Sequence, residues 1–226
     1  MMTNAKVGQS SALSEDEAYA VQREAAARRC QAGDSVIGYK IGCIGPAIVT
    51  QFGMSGPIRG RLFHSERRIS GDIVDCTAVN LAIEGEMAIE FGDRAAHPVI
   101  ELHDFVFQGA QKTLSELIAR NGLNIGVVLP APAGVKSLEN WPASAVLTIL
   151  VNGAVIDSGR LWAFAGGAVE AAGWLGLSLA AEGLSLKPGD LALTGTPLGL
   201  HTVQAGDHVA VAIDGEVYVT CDIAQR

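Results

Sequence analysis

Hydrophobic residues recur in short runs along most of the chain, and many of these runs end at glycine, proline, asparagine or aspartate. Short apolar runs bounded by turn-forming residues are typical of β-strands. Asn152-Gly153 joins two such runs and is the strongest hairpin signal in the chain, while Asp214-Gly215 joins a second pair. The predicted strands lie within residues 36–42, 81–92, 123–129, 145–151, 154–158, 191–193, 208–213 and 216–223.

Three other stretches place apolar residues at helical spacing. These stretches are residues 15–31, 108–121 and 167–182. The first follows Ser14 and contains Glu17, a pair that predicts a capping box at the start of a helix. Gly33 should end this helix, because glycine readily adopts the left-handed backbone found at helix C-termini.

Strands therefore outnumber helices, and the hairpins cluster in the C-terminal half. This order predicts an α+β fold built on mixed or antiparallel sheets, without the regular alternation of a doubly wound fold. The length of 226 residues is sufficient for one large domain with a substantial core. Within it we expect a flexible arm over residues 1–13 and a helical element over residues 14–33.

Two glutamates interrupt a predicted strand that is otherwise largely apolar. Glu84 and Glu86 are two residues apart, so their side chains point to the same side of the strand. Neighbouring buried carboxylates repel each other and lose hydration, a cost that a shared cation or a bound proton removes. Carboxylate oxygens suit Mg²⁺, Mn²⁺ or Ca²⁺. A divalent metal site is therefore one interpretation, and an edge strand whose glutamates face water is the other.

Two further charges lie in apolar surroundings. Lys40 stands between Gly38 and Gly42, which allow another backbone or a ligand to approach closely. The lysine either extends to the surface or faces a pocket that contains an anionic partner. Glu101 lies between two apolar residues, so a charged partner is expected for it as well.

Composition narrows the classes of function. Apolar residues make up 49% of the chain and charged residues 18%, which indicates a compact folded protein. The net charge of −8 argues against nucleic acid or an anionic membrane as a partner. Without an apolar run of membrane-spanning length or a signal-peptide pattern near the start, we expect a cytoplasmic protein. The four cysteines have no C-x-x-C spacing, which indicates reduced thiols without structural zinc.

The segments around these charges resemble one family of enzymes. Residues 18–22, 38–42, 83–88 and 186–197 are similar to those of the 2-keto-4-pentenoate hydratases and 4-oxalocrotonate decarboxylases, a branch of the fumarylacetoacetate hydrolase superfamily. The resemblance extends from about residue 13 to the end of the chain. It implies a single catalytic domain over residues 1–226, with a curled β-roll or sandwich flanked by a few helices, and a homo-oligomer.

The resemblance also implies roles for individual residues. It makes Glu84, Glu86 and Glu101 the ligands of a divalent metal, either Mg²⁺ or Mn²⁺. It places Lys40 in the substrate pocket as the catalytic lysine. It gives the loop Thr194-Gly195-Thr196 a substrate-binding role, for which small hydroxyl residues and a glycine are suited. The implied function is a hydratase or decarboxylase, a lyase acting on a small unsaturated 2-oxo acid such as 2-hydroxypenta-2,4-dienoate in aromatic catabolism.

The chain departs from the family pattern near two of these residues. Segment 91–98 replaces a longer helical excursion before Glu101, so Glu101 could be a salt-bridge residue instead, with Asp104 as the third ligand. The hydratases often have an acidic residue where this chain has Ile58 and Arg59. The loss of that acid affects the expected route of proton transfer.

Arginines and histidines near the motifs allow several interpretations. Arg59 or Arg61 could bind a second carboxylate of the substrate by a bidentate contact, or both could be solvated loop residues. His64, His97 and His103 have no spacing typical of a histidine metal site. We therefore predict that these histidines are surface or core-edge residues.

Other functions stay open at the level of the sequence. Two belong to the same superfamily: hydrolysis of an acylpyruvate or another 1,3-diketone, and decarboxylation or tautomerisation of oxaloacetate. A third is metabolite binding without catalysis. Metal binding without turnover of any acylpyruvate or dienoate would indicate this third function.

Overall fold

The computed structural model of the protein describes residues 13–44, 56–75, 77–109 and 112–224. Its α-helices are α1 (Glu15–Gln31), α2 (Leu114–Ala119) and α3 (Gly167–Ala180). Its strands are β1 (Val36–Gly42), β2 (Ile58–Phe63), β3 (Arg67–Ile69), β4 (Ile73–Val74), β5 (Leu81–Glu90), β6 (Ala95–Asp104), β7 (Asn124–Leu129), β8 (Lys136–Ser137), β9 (Val146–Val151), β10 (Ala154–Arg160), β11 (Leu191–Leu193), β12 (His201–Thr202), β13 (His208–Ile213) and β14 (Glu216–Ile223). Within the described ranges, no helix has the length and apolar character needed to cross a membrane.

The described strands form two sheets. The larger sheet has the order β2, β1, β11, β5, β6, β7, β3, with β12 also paired to β5 and β8 to β6. The smaller sheet has the order β10, β9, β13, β14, β4. Parallel and antiparallel pairs occur in both, since β1 runs parallel to β11 and β14 runs parallel to β4. The predicted α+β class with mixed sheets is confirmed.

The position of β5 decides between the two interpretations of its glutamates. This strand is hydrogen-bonded to β11 on one side and to β6 on the other. It is therefore an interior strand of the larger sheet, and the interpretation of Glu84 and Glu86 as edge-strand residues facing water is wrong.

The first helix begins at the residue that its capping box predicts. The side chain of Ser14 accepts a hydrogen bond from the Glu17 N–H, and the Glu17 carboxylate accepts one from the Ser14 N–H. After the helix, Gly33 has a positive φ of 99°. The arm expected over residues 1–13 lies outside the described residues, apart from Leu13.

The second helix is shorter than the sequence pattern predicts. A helix was expected over residues 108–121, but α2 begins after Thr113, whose hydroxyl accepts a hydrogen bond from the Glu116 N–H. The carboxylate of Glu116 accepts the backbone N–H groups of Gln108 and Gly109. These two residues therefore bind a side chain of the helix and are not part of it.

The main hydrophobic core lies between the two sheets, and Gly85 allows them to approach closely. A β-carbon at this position would lie 2.8 Å from Cγ1 of Ile149 in β9 and 3.1 Å from Cγ2 of Val211 in β13. Because side chains alternate along a strand, Glu84 and Glu86 point to the opposite face. One face of β5 therefore packs in the core, and the other presents carboxylates.

Replacing Gly85 with alanine should destabilise the protein. The added methyl group would force Ile149 and Val211 to move, and overpacking of this kind typically lowers the free energy of unfolding by about 1–3 kcal/mol. Urea denaturation measures this change.

Gly173→Ala is the matched control, because a β-carbon there meets nothing within 4 Å and the residue lies inside α3. This substitution should raise the free energy of unfolding by about 0.5–1 kcal/mol, since alanine is the better helix former. Equal stability changes of the same sign in the two variants would contradict the proposed packing at Gly85.

Candidate metal centre

Strands β5 and β6 bring four ionisable side chains onto one face of the larger sheet. The strands are antiparallel, and Glu84 stands directly opposite Glu101. Glu86 and His103 each lie two residues further along their own strand, so their side chains point to the same face. Glu86, Glu101 and His103 are buried, and the Glu84 side chain is 14% exposed.

Lys40 reaches this group from β1. Its Nζ atom lies 3.0 Å from Oε1 of Glu101, and Nδ2 of Asn124 donates a hydrogen bond of 2.7 Å to the same oxygen. The Lys40 side chain is only 3% exposed, so the interpretation that it extends to the surface is wrong. Glu101 has a charged partner, as its apolar neighbours in the sequence indicated.

Glycines provide the space that the Lys40 side chain occupies. A β-carbon at Gly122 would lie 2.7 Å from Cε of Lys40, and one at Gly42 would lie 3.0 Å from its Nζ. Gly38 serves another purpose, because a β-carbon there would lie 1.9 Å from the carbonyl oxygen of Leu191 in β11. The glycines around Lys40 thus allow the approach of both a charged side chain and a neighbouring strand.

The polar atoms of the group are incompletely satisfied. Both carboxylate oxygens of Glu86, Oε2 of Glu101 and Nε2 of His103 are buried and have no hydrogen-bond partner within the described part of the chain. One ligand atom each from Glu84, Glu101 and His103 lie within 4.8 Å of one another. Buried polar atoms without partners are costly, and a cation held between them removes that cost. Glu84, Glu101 and His103 therefore fit a divalent metal, and the predicted ligand Glu86 is not part of this cluster.

Burial and neighbouring charges shift the pKa values of Lys40, Glu86, Glu101 and His103 in different directions. Burial alone would lower the pKa of Lys40, but Glu101, Glu84 and Glu86 raise it above its usual range. Burial alone would raise the pKa of Glu101, but Lys40 and His103 hold it below its usual range. For Glu86, burial raises the pKa well above the usual value, and the charge of Glu101 raises it further. Burial would lower the pKa of His103, but Glu101 and Glu84 raise it to about 9.

A small cavity of about 50 Å³ opens beside the charged group. Lys40, Glu84 and His103 contribute its polar wall. The rest of the wall is mostly apolar and includes Ile58, Phe105, Leu117, Leu123 and Leu200. A ligand in this cavity would meet a charged wall and an apolar one.

The arginines expected near the substrate point elsewhere. Nη2 of Arg59 lies 2.6 Å from Oε1 of Glu182, and its guanidinium group stacks 3.9 Å from the centre of the Tyr19 ring. Arg61 also pairs with Glu182, at 3.1 Å, and both arginines are 5% exposed. The interpretation of these residues as solvated loop residues is wrong. Neither guanidinium lines the cavity beside Lys40.

The loop Thr194-Gly195-Thr196 runs beside β5. The Thr194 hydroxyl donates a 2.8 Å hydrogen bond to the carbonyl of Met87, and the Thr196 hydroxyl donates a 2.6 Å hydrogen bond to the carbonyl of Gly85. Gly195 has a φ of 84°, which favours glycine. The loop expected to bind substrate therefore lies against the strand that carries Glu84 and Glu86, with both hydroxyl hydrogens engaged in holding it there.

The shortened segment between β5 and β6 does not disturb the carboxylates. The strands are joined across residues 91–94, and the first pair beside this turn is Glu90 with Ala95. The pair Glu84 with Glu101 lies six residues further along, about 20 Å away at the usual rise of a strand. The alternative ligand Asp104 instead accepts hydrogen bonds from backbone N–H groups at Val79 and Asn80.

His103 is the residue of this group that the sequence interpretation missed. It was predicted to be a surface or core-edge residue, but it is 2% exposed and faces Glu84 and Glu101. The signal was present in the sequence, because His103 follows Glu101 by two residues in the way that Glu86 follows Glu84. Of the other histidines, His97 is buried near Glu90 and His64 is exposed.

A family model described as fumarylacetoacetate (FAA) hydrolase C-terminal matches residues 67–224. The chain belongs to this family. Among curated relatives, a 2-keto-4-pentenoate hydratase of Burkholderia vietnamiensis is 27% identical over 88% of this chain and 82% of its own length. A 4-oxalocrotonate decarboxylase of Pseudomonas putida is 24% identical over 88% of this chain and 81% of its own.

The fold of this FAA hydrolase family member is also that of a solved relative. A 4-oxalocrotonate decarboxylase from Pseudomonas putida G7, complexed with magnesium and adipate, superposes with a TM-score of 0.83 at 23% identity. The match covers 93% of this chain and 86% of that one. The resemblance inferred from the motifs at residues 38–42, 83–88 and 186–197 is confirmed at the level of the family and the fold.

Removing either glutamate of β5 should weaken metal binding. Glu84→Gln and Glu86→Gln keep the side-chain shape but remove a negative charge, so affinity for Mg²⁺ and Mn²⁺ should fall by at least about tenfold, as ligand and outer-shell changes commonly cause. Isothermal titration calorimetry on chelator-treated protein measures it. Glu90→Gln is the control on the same strand, since the Glu90 side chain is 37% exposed and lies at the other end of β5.

The affinity for metal should also depend on pH, and measuring it by the same titration tests the role of Glu86 separately. Because the raised pKa of Glu86 lets protons compete with a cation above the usual range of glutamate, affinity should rise with pH through that range, with proton release on binding. Glu86→Gln should reduce the proton release. Unchanged affinity in both glutamine variants would exclude a metal at these carboxylates.

Proposed function

We propose that the protein is a divalent-metal-dependent lyase acting on a small unsaturated 2-oxo acid in aromatic catabolism, with 2-hydroxypenta-2,4-dienoate as the model substrate. The observation that carries the proposal is the shared cavity of Lys40, Glu84 and His103, next to the buried ion pair of Lys40 with Glu101. The hydratase and decarboxylase names of the curated relatives support this reaction class.

Mg²⁺ or Mn²⁺ is the cation that we propose for the carboxylates of Glu84, Glu86 and Glu101. When bound, such an ion supplies an electrophile that stabilises negative charge on the oxygens of a 2-oxo acid. The acidic residue expected near residue 58 is replaced by Ile58, whose buried side chain lines the cavity and has no proton to transfer.

Lys40 is the residue to which we assign the chemistry nearest the substrate. Its raised pKa keeps the ammonium group charged at neutral pH, so it serves first as a partner for an anion and can assist a proton transfer only when the substrate atom is strongly basic. One acceptor for its hydrogens is Oε1 of Glu101, and an ammonium group has three donors. The remaining donors are available to a substrate carboxylate in the cavity.

The cavity wall favours a substrate with one carboxylate and an uncharged tail. Among the described residues that line it, Lys40 is the one lysine or arginine, and the arginines of β2 are paired with Glu182. A second carboxylate would lie against residues such as Leu117 and Leu200, and burying a charge against apolar side chains is costly. Within the family this favours hydration of a monocarboxylic dienoate over decarboxylation of a dicarboxylic substrate. The homo-oligomer implied by the family stays a prediction.

The proposal is tested with a panel of freshly prepared substrates and chelator-treated protein. With Mg²⁺ or Mn²⁺ restored, 2-hydroxypenta-2,4-dienoate should be consumed in a continuous ultraviolet assay, and without metal the rate should fall to background. The dicarboxylic 4-oxalocrotonate and the acylpyruvates should react more slowly. Preferred turnover of an acylpyruvate would assign a hydrolase instead, and metal binding without turnover of the panel would indicate a metabolite-binding protein.

Lys40→Met should lower turnover by roughly two to four orders of magnitude, the usual contribution of a general acid or base. Methionine retains the length and apolar stem of the side chain while deleting its charge. The assay needs saturating metal, because the variant leaves Glu101 buried without its ammonium partner.

Lys187→Met is the control for this substitution, because Lys187 is an exposed residue away from the cavity. Circular dichroism should show that both variants are folded. Normal turnover and substrate affinity in Lys40→Met would mean that the lysine only balances the charge of the carboxylates.

A further inference from the structure

His103 lies among the candidate metal ligands and lines the cavity, but the proposed function assigns it no chemistry. Its Nε2 atom lies 3.4 Å from Oε2 of Glu84 and 3.5 Å from Oε2 of Glu101. Both carboxylate oxygens belong to residues of the group that fits a cation. The imidazole therefore points into the space between two opposed carboxylates.

The other ring nitrogen of His103 is held by the backbone. Nδ1 lies 3.3 Å from the carbonyl oxygen of Gly122, and because a carbonyl only accepts hydrogen bonds, Nδ1 must carry the hydrogen. When a metal replaces the proton on Nε2, the lone pair of this nitrogen is directed at the space between Glu84 and Glu101. Metal-binding histidines characteristically donate their second N–H to a carbonyl or carboxylate in this way.

The distances around Nε2 suit a shared ion better than direct hydrogen bonds. Nε2 of His103 makes no hydrogen bond to the described residues, although oxygens of Glu84 and Glu101 lie 3.4 and 3.5 Å away. Two atoms that bind one ion at about 2.1 Å each are about 3.0–3.5 Å apart for angles of about 90–110°. The separations of 3.4 and 3.5 Å to Glu84 and Glu101 fall in this interval.

The Glu101 carboxylate has an oxygen available for this purpose. On Glu101, Lys40 and Asn124 both bind Oε1, while Oε2 faces His103 and has no hydrogen bond from the described residues. The partners of Oε1 thus fix the orientation of the Glu101 carboxylate. They also direct its free oxygen towards the imidazole.

We propose that His103 binds the divalent metal through Nε2, together with Glu84 and Glu101. This inference rests on the metal centre of the proposed function and adds a nitrogen to an otherwise all-oxygen ligand set. Imidazole suits transition-metal ions such as iron and zinc better than it suits magnesium, which prefers oxygen. The site should therefore discriminate against Mg²⁺ more strongly than the three carboxylates alone would.

Pulsed electron paramagnetic resonance of Mn²⁺ bound to the full-length protein tests the nitrogen directly. One equivalent of Mn²⁺ should give electron spin-echo modulation from a directly bound ¹⁴N nucleus. Protein labelled with ¹⁵N only in histidine should give the corresponding ¹⁵N pattern. This comparison requires no substitution, so it does not depend on how a variant folds.

His103→Gln then identifies which histidine is bound, since glutamine is polar and offers an oxygen in place of the nitrogen. The variant should lose the nitrogen modulation and bind Mn²⁺ at least about tenfold more weakly, while its affinity for Mg²⁺ should change less. His97→Gln is the matched control, because His97 is equally buried on β6 but lies near Glu90. It should keep the modulation and both affinities.

The outcomes separate this inference from the proposed function. Mn²⁺ that binds and supports turnover without nitrogen modulation in the unsubstituted protein would overturn the role of His103 and leave the lyase proposal intact. Modulation that persists in His103→Gln would also overturn it. Failure of Mn²⁺ and Mg²⁺ to bind at all would overturn both proposals together.

Discussion

Burial of acidic side chains is the constraint on which the candidate site depends. Glu84, Glu86 and Glu101 share one face of the larger sheet, and within the described residues Lys40 provides the ammonium group that contacts Glu101. Lys40 and a protonated His103 together offset two of the three carboxylates, so one negative charge stays unbalanced when all three are ionised. In a buried environment such a surplus has to be cancelled by a metal or by bound protons. The chemistry that the site can perform follows from this electrostatic requirement.

Much of the fold could be predicted from local sequence because its signals are local. The capping box at Ser14 and the hairpin at Asn152-Gly153 depend on residues close in sequence, and the structure has a helix and a hairpin there. The short α2 shows where such reasoning fails. Helical spacing was present over residues 108–121, but Thr113 and Glu116 provide side-chain hydrogen bonds that begin the helix later. The spacing of apolar residues gives no information on side-chain hydrogen bonds of this kind, so it cannot predict where the helix begins.

Those residues of the site that are charged and lie within predicted apolar strands could be identified from the sequence. Lys40, Glu84 and Glu101 were each unusual because apolar residues surround them, and the structure brings them together. The partner of Arg59 was not predictable, because Glu182 lies more than a hundred residues later and outside the motifs. His103 was overlooked for another reason. Its two-residue spacing from Glu101 was visible, but histidine alone on a strand gives no evidence of burial.

The two threonine contacts with β5 have a consequence for the energetics of binding. The carbonyls that accept them, at Gly85 and Met87, are the neighbours of Glu86 on either side. Loop and strand are thus joined by hydrogen bonds at both residues that flank Glu86. Because these bonds hold the loop against the strand before any ligand binds, a ligand that contacts the loop loses little binding free energy in ordering it.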